Sequence, residues 1–104
     1  MPDPDVLGYE YHPEAEAEYL AEVEYYSRVS ADLGLRFVKE VESAIARARQ
    51  FPEVWAPLPG NLRRIRPQHF PHSVVYEVMP GRVFIWAVAH GSRRPGYWRT
   101  RMGA

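Results

Sequence analysis

A chain of 104 residues that is 46% apolar is expected to fold as one domain, residues 1–104, with no room for a second core. It contains no cysteine, which excludes disulfides, thiolate metal sites and a cysteine nucleophile. The zero net charge hides a split: residues 1–59 hold 12 of the 13 acids and 5 of the 13 bases, and residues 60–104 hold one acid, Glu77, and 8 arginines.

The start, Met1-Pro2-Asp3-Pro4-Asp5, is acidic and proline-broken, unlike the basic and then apolar start of a signal peptide. No apolar run approaches the roughly 18 residues that a membrane span needs. A cytoplasmic protein without membrane association is therefore expected. Residues 7–11 alternate roughly and read as a short strand. Pro13 fits the first turn of a helix, and Glu14, Glu16 and Glu18 suit its positive end. Ala15, Tyr19, Val23, Tyr26 and Ser30 recur at helical spacing and mark one face. The glutamates of this helix are read as a solvated face. Asp32-Leu33-Gly34 reads as a turn.

A second helix follows, with an apolar stripe of Phe37, Val38, Val41, Ala44, Ile45 and Ala48. Phe51-Pro52 ends it, and Pro52, Pro57, Pro59 and Gly60 make residues 52–60 a loop. Three strands are expected next, over residues 61–68, 73–79 and 82–89, the last two joined by a Pro80-Gly81 turn. The near-continuous apolar character of residues 82–89 suggests a central strand covered on both faces. A last helical turn is expected from Tyr97. The order is β-α-α-β-β-β, an α+β fold with a helical hairpin on a mainly antiparallel four-stranded sheet.

Chemistry concentrates in the arginine-rich half. In Arg63-Arg64-Ile65-Arg66, a strand puts Arg64 and Arg66 on one face and Arg63 on the other. The pair would stand about 6–7 Å apart, a spacing that can grip consecutive phosphates. A solvated edge strand whose charges discourage aggregation shows the same pattern. Lys39 is the only lysine, and arginine's planar fork suits phosphate and carboxylate; a GC-rich genome favours the same ratio.

The second cluster is His90 with Arg93, Arg94, Tyr97 and Trp98, just after the central strand. Imidazole and phenol can transfer protons, arginine can stabilise developing negative charge, and aromatic rings can stack on unpaired bases. The plain alternative is a hydrogen-bonded structural histidine beside two core aromatics. His69 and His72 carry a metal-like spacing, but Phe70-Pro71 prevents a helix there and no third ligand stands out. No metal and no cofactor are expected. The chain holds no Gly-rich phosphate loop and no serine-centred elbow.

These pieces, in order, resemble the RelE/ParE toxin superfamily over roughly residues 8–101. Ala15 opens the first helix, Tyr25-Tyr26 stands near its end, and Leu33-Gly34-x-x-Phe37 opens the second. An Arg63-Arg64 strand precedes Phe70-Pro71-His72-Ser73-Val74-Val75-Tyr76. Ala87-Val88-Ala89-His90-x-x-Arg93-Arg94-Pro95-x-Tyr97-Trp98 comes last.

The resemblance implies the toxin of a type II toxin–antitoxin pair, a plasmid stabilisation protein, with the same fold. It implies a cognate antitoxin as partner, and contact with operator DNA only through that antitoxin. The antitoxin and target face would be Arg63, Arg64, Arg66, Arg93, Arg94 and Trp98. RelE-like members cut mRNA on the ribosome, whereas ParE-like members poison DNA gyrase. This chain lacks the lysines of the RelE pattern on its second strand. Gln68 and Gly91 stand about where basic residues are expected. The expectation therefore leans to a ParE-like growth inhibitor. The alternatives are a metal-independent endoribonuclease using Arg64, Arg66, His90, Arg93 and Tyr97, and a degenerate toxin kept as a binding module.

Overall fold

The computed structural model describes residues 6–103; residue 104 and the acidic opening segment, residues 1–5, lie outside them. In chain order the elements are β1 (Gly8–Tyr11), α1 (Pro13–Val29), α2 (Ala31–Gln50), β2 (Ala56–Leu58), β3 (Leu62–Ile65), β4 (His72–Met79) and β5 (Arg82–His90). A 3-10 helix, Tyr97–Met102, closes the chain where a helical turn was expected. The strands form one sheet in the order β1-β5-β4-β3-β2. β1 runs parallel to β5, and the other neighbouring pairs are antiparallel.

The α+β order and the helical hairpin are as expected, but the sheet has five strands where four were read. The extra strand, β2, comes from the proline-rich stretch assigned to a loop. Pro57 is tolerated because β2 is the outermost strand, where a missing amide hydrogen need not break the ladder.

The helix boundary also moves. Asp32-Leu33-Gly34 is not a turn but the first part of α2. The break falls at Ser30, whose extended backbone ends α1 and whose hydroxyl accepts from the Leu33 amide at 3.0 Å. Gly34 serves packing rather than turning. A Cβ there would lie 2.1 Å from Ser27 Oγ and 3.0 Å from Ser27 Cα, so only glycine lets the two helices meet this closely. At the start of α1, Pro13 follows an N-cap at His12, whose Nδ1 accepts from the Glu14 amide at 3.1 Å.

The sheet is covered on both faces. On the helix side, Ala15, Phe37, Val41, Ala44, Ile45 and Ala48 pack on Ile65, Val74, Tyr76, Val83, Ile85 and Val88. On the other side, Leu62, Val75, Ala87 and Ala89 pack under Trp98 of the 3-10 helix. β5 contributes to both, as its near-continuous apolar run implied. A bulge makes this possible. Val75 pairs with Ala87, Tyr76 pairs with Ile85, and Trp86 is left over between them. The extra residue resets the in–out alternation halfway along the strand.

Candidate functional site

The sheet end gathers the sequence candidates into one cleft of about 180 Å³. Arg64 reaches it from β3 and Arg66 from the segment just beyond. His90 ends β5, and Arg93, Tyr97 and Trp98 come from the closing loop and 3-10 helix. Val75, Ala89 and Leu58 add an apolar lining. Among the described residues, Arg64, Arg66 and Arg93 form no ion pair. The result is an apolar cleft rimmed by three uncompensated guanidinium groups, a setting that attracts anions.

Tyr97 is not a free proton acceptor. Its hydroxyl donates a short hydrogen bond to Glu18 Oε2. Burial and this bond to a carboxylate both push the phenol well above its ordinary range. The same carboxylate receives Arg101 in a fork, Nη1 at 2.9 Å on Oε1 and Nη2 at 2.8 Å on Oε2. The Val88 amide donates to Oε1 at 3.0 Å. Burial alone would raise the Glu18 pKa, but the bonds from Arg101, Tyr97 and Val88 outweigh it and hold the group below its usual range.

Glu18 thus corrects the reading of the first helix's glutamates as a solvated face. It stands one helical turn after buried Ala15, and its side chain is only 15% exposed against 9% for Arg101. Neither residue was singled out from the sequence. The available signal was their position, because Glu18 shares a helix face with Ala15. Arg93 lies over the Tyr97 ring, 3.9 Å from its centre, and completes the cluster.

His90 is oriented by its own loop. Nδ1 accepts from the Ser92 amide at 3.0 Å, which places the neutral ring's proton on Nε2. His72 pairs with His90 across β4 and β5 and is 1% exposed. Its ring packs among Phe37, Phe70 and His90 at centroid distances of 5.0, 6.5 and 5.0 Å. Neither ring nitrogen has a hydrogen-bond partner among the described residues, and Glu22 Oε2 stands 3.6 Å from Nε2.

Burial depresses the His72 pKa; Glu22 opposes the shift, and His90 adds to it. The unfolded chain therefore takes up a proton near the ordinary value of 6.5 while the folded chain still resists. Stability from this group should be full above that value and decline as pH falls below it. Urea midpoints between pH 7 and 5 should fall for the native chain and fall less for His72→Leu. Parallel curves for the two proteins would remove His72 as the cause.

The other candidates lie outside the cleft. Arg63 faces the helix side and donates to the Trp55 carbonyl at 2.8 Å. Arg94 is exposed in the loop before the 3-10 helix. His69 and His72 are separated, since His69 Nδ1 binds Glu40 at 2.7 Å while His72 sits in the core. Gln68 lines a neighbouring groove. Gly91 has a steric reason: a Cβ there would lie 2.9 Å from the Pro71 carbonyl oxygen.

A family model described as "ParE toxin of type II toxin-antitoxin system, parDE" matches residues 9–95. The chain belongs to the ParE toxin family. Among solved structures, this ParE-family chain is similar to one titled "Chromosomal ParDE TA system from P. aeruginosa". The TM-score is 0.68 at 16% identity, over 83% of this chain and 97% of that one. The likeness shows a shared fold. No curated protein matches the sequence. Membership of the ParE toxin family makes this chain a toxin of the type II class. No helix among the described residues is long and apolar enough to cross a membrane.

Proposed function

We propose that this toxin is neutralised by a cognate antitoxin in the cytoplasm and arrests growth through DNA gyrase rather than by cutting mRNA. The observation that carries the choice is the state of Tyr97. Its hydroxyl is committed as a donor to Glu18, and its pKa is raised. The phenol therefore stays protonated at neutral pH and is a poor acceptor for the proton of a ribose 2′-OH, arginine remains protonated throughout, and the Nδ1 of His90, the other candidate acceptor, is already taken by the Ser92 amide. Binding and positive charge are what the cleft offers. Arg64, Arg66, Arg93 and Trp98 at the cleft, with Arg94 exposed in the closing loop, are the residues expected to meet the target or an acidic antitoxin segment.

One observation favours ribonuclease chemistry. Arg64, Arg66, His90, Arg93 and Tyr97 all line a single cleft. The two readings separate in vitro. Full-length protein added to a gyrase supercoiling reaction should inhibit it and accumulate cleaved gyrase–DNA complexes. On translating ribosomes the mRNA should stay intact. Cleavage in the ribosomal A site, slowed by Tyr97→Phe or Arg93→Ala, would replace gyrase with mRNA as the target.

A further inference from the structure

We propose that Arg93, Arg64, Arg66 and Arg47 form one continuous track for the backbone of a single-stranded nucleic acid, with two arginine–aromatic contacts along it. The cleft described above adjoins two more, of about 440 and 590 Å³. Arg66 lines all three, Arg64 lines the first and second, and Arg47 lines the second and third. The path runs from the tail side of the sheet, around its β2–β3 edge, to the α2 side. None of the four guanidinium groups is ion-paired among the described residues. Glu40, the one carboxylate lining the path, is already engaged by His69 and Arg36.

Two arginine–aromatic contacts along the track carry the second observation. Arg47 lies over the Trp55 ring at 5.5 Å, and Arg93 lies over the Tyr97 ring at 3.9 Å. Such planar pairs offer stacking faces to unpaired bases. A carboxylate would use only the guanidinium edges and leave the ring faces unused. Trp98, in the tail-side cleft, also carries a buried indole N–H with no acceptor among the described residues.

An acidic peptide fits less well. It would gain most by adding a strand beside β2, but Pro57 lacks an amide hydrogen and Pro59 follows it. A duplex is also a poor fit. With a persistence length of about 50 nm, it cannot follow a path that turns around a sheet edge. A single strand can.

The inference stands apart from the gyrase reading, because strand binding and supercoiling inhibition are measured separately. The test is fluorescence anisotropy with full-length protein. The probes are labelled single-stranded DNA and RNA of about 12 nucleotides, the corresponding duplex, and an Asp/Glu-rich peptide of similar length. Four phosphate contacts predict a log–log salt slope of about −3, or about 50-fold weaker binding between about 50 and 200 mM salt.

Arg47→Ala and Arg66→Ala should each weaken binding about tenfold and reduce the slope by roughly 0.7–1. Arg66→Lys should recover part of the loss, and Arg28→Ala, on α1 and paired with Glu24, should change nothing. Tighter binding of either single strand than of the duplex and the peptide supports the track. Three results would overturn the track: no strand binding at low salt, a duplex or acidic peptide bound at least as tightly, or Arg47→Ala without effect in a folded protein.

Discussion

Glu18→Ala is expected to lower the stability of this toxin by about 3 kcal/mol, because it removes the main counter-charge of a buried guanidinium and leaves Arg101 only the more exposed Glu14, 3.5 Å from its Nε. Arg101 also donates to the Trp86 carbonyl at 3.0 Å, but its charge is answered mainly by Glu18. The same substitution strands the Val88 amide and the Tyr97 hydroxyl, both of which end on that carboxylate. Glu18→Gln keeps the shape and part of the hydrogen bonding, so its cost should be smaller. Urea denaturation of the three proteins measures the differences. A loss below about 1 kcal/mol for Glu18→Ala would mean that Trp98 burial alone holds the tail.

The pH dependence gives an independent check. Glu18 is held below its ordinary value of 4.5 in the folded state. Its contribution is therefore complete above that value and disappears as pH falls through the lower folded value. Glu18→Ala should lose this share of the acid sensitivity. The loss begins near 4.5, below the 6.5 at which that of His72 begins, and comparison with His72→Leu separates the two groups.

Phe37→Ala should be at least as damaging, at about 4 kcal/mol, since it opens a cavity where three elements meet. The ring lies 5.1 Å from Tyr26, 5.0 Å from Phe70 and 5.0 Å from His72, measured between centroids. It therefore ties α1 and the approach to β4 onto α2. The loss is a large part of the roughly 5–15 kcal/mol that stabilises a typical domain. Calorimetry should show a much lower melting temperature for Phe37→Ala. A shift of only a degree or two would mean that the neighbouring rings collapse into the space.

Much of the fold was legible because burial writes itself into sequence at fixed periods. The stripe from Phe37 to Ala48 and the run from Val83 to Ala89 each named an element and its buried face. The errors came where a residue's role depends on a distant neighbour. Gly34 looks like a turn residue, and only the approach of Ser27 reveals a packing glycine. Pro57 looks like a strand breaker, and only its place at the sheet edge makes it acceptable.

The site divides in the same way. That Arg64, Arg66, His90, Arg93 and Tyr97 are candidates follows from residue type and order, and the structure brings them to one cleft. Glu18 sits in a helix rich in glutamate, and its place one turn after buried Ala15 is the sole local feature that separates it from its neighbours. Its partners Tyr97 and Arg101 are 79 and 83 residues away. Arg47 and Trp55 are near in sequence, but how the chain leaves α2 to bring them together is not written in the helical period.

By itself, the sequence determined the family, the α+β order, the core stripes and the concentration of arginine in the second half. Those properties follow from local periodicity and composition. Only the tertiary structure decided what the arginines face and that the Tyr97 hydroxyl ends on Glu18. A guanidinium is a binding group or a buried strut according to the carboxylates that surround it, and a phenol is acid or base according to its hydrogen-bond partner. Those partners are supplied by chain folding over long separations, which no local pattern records.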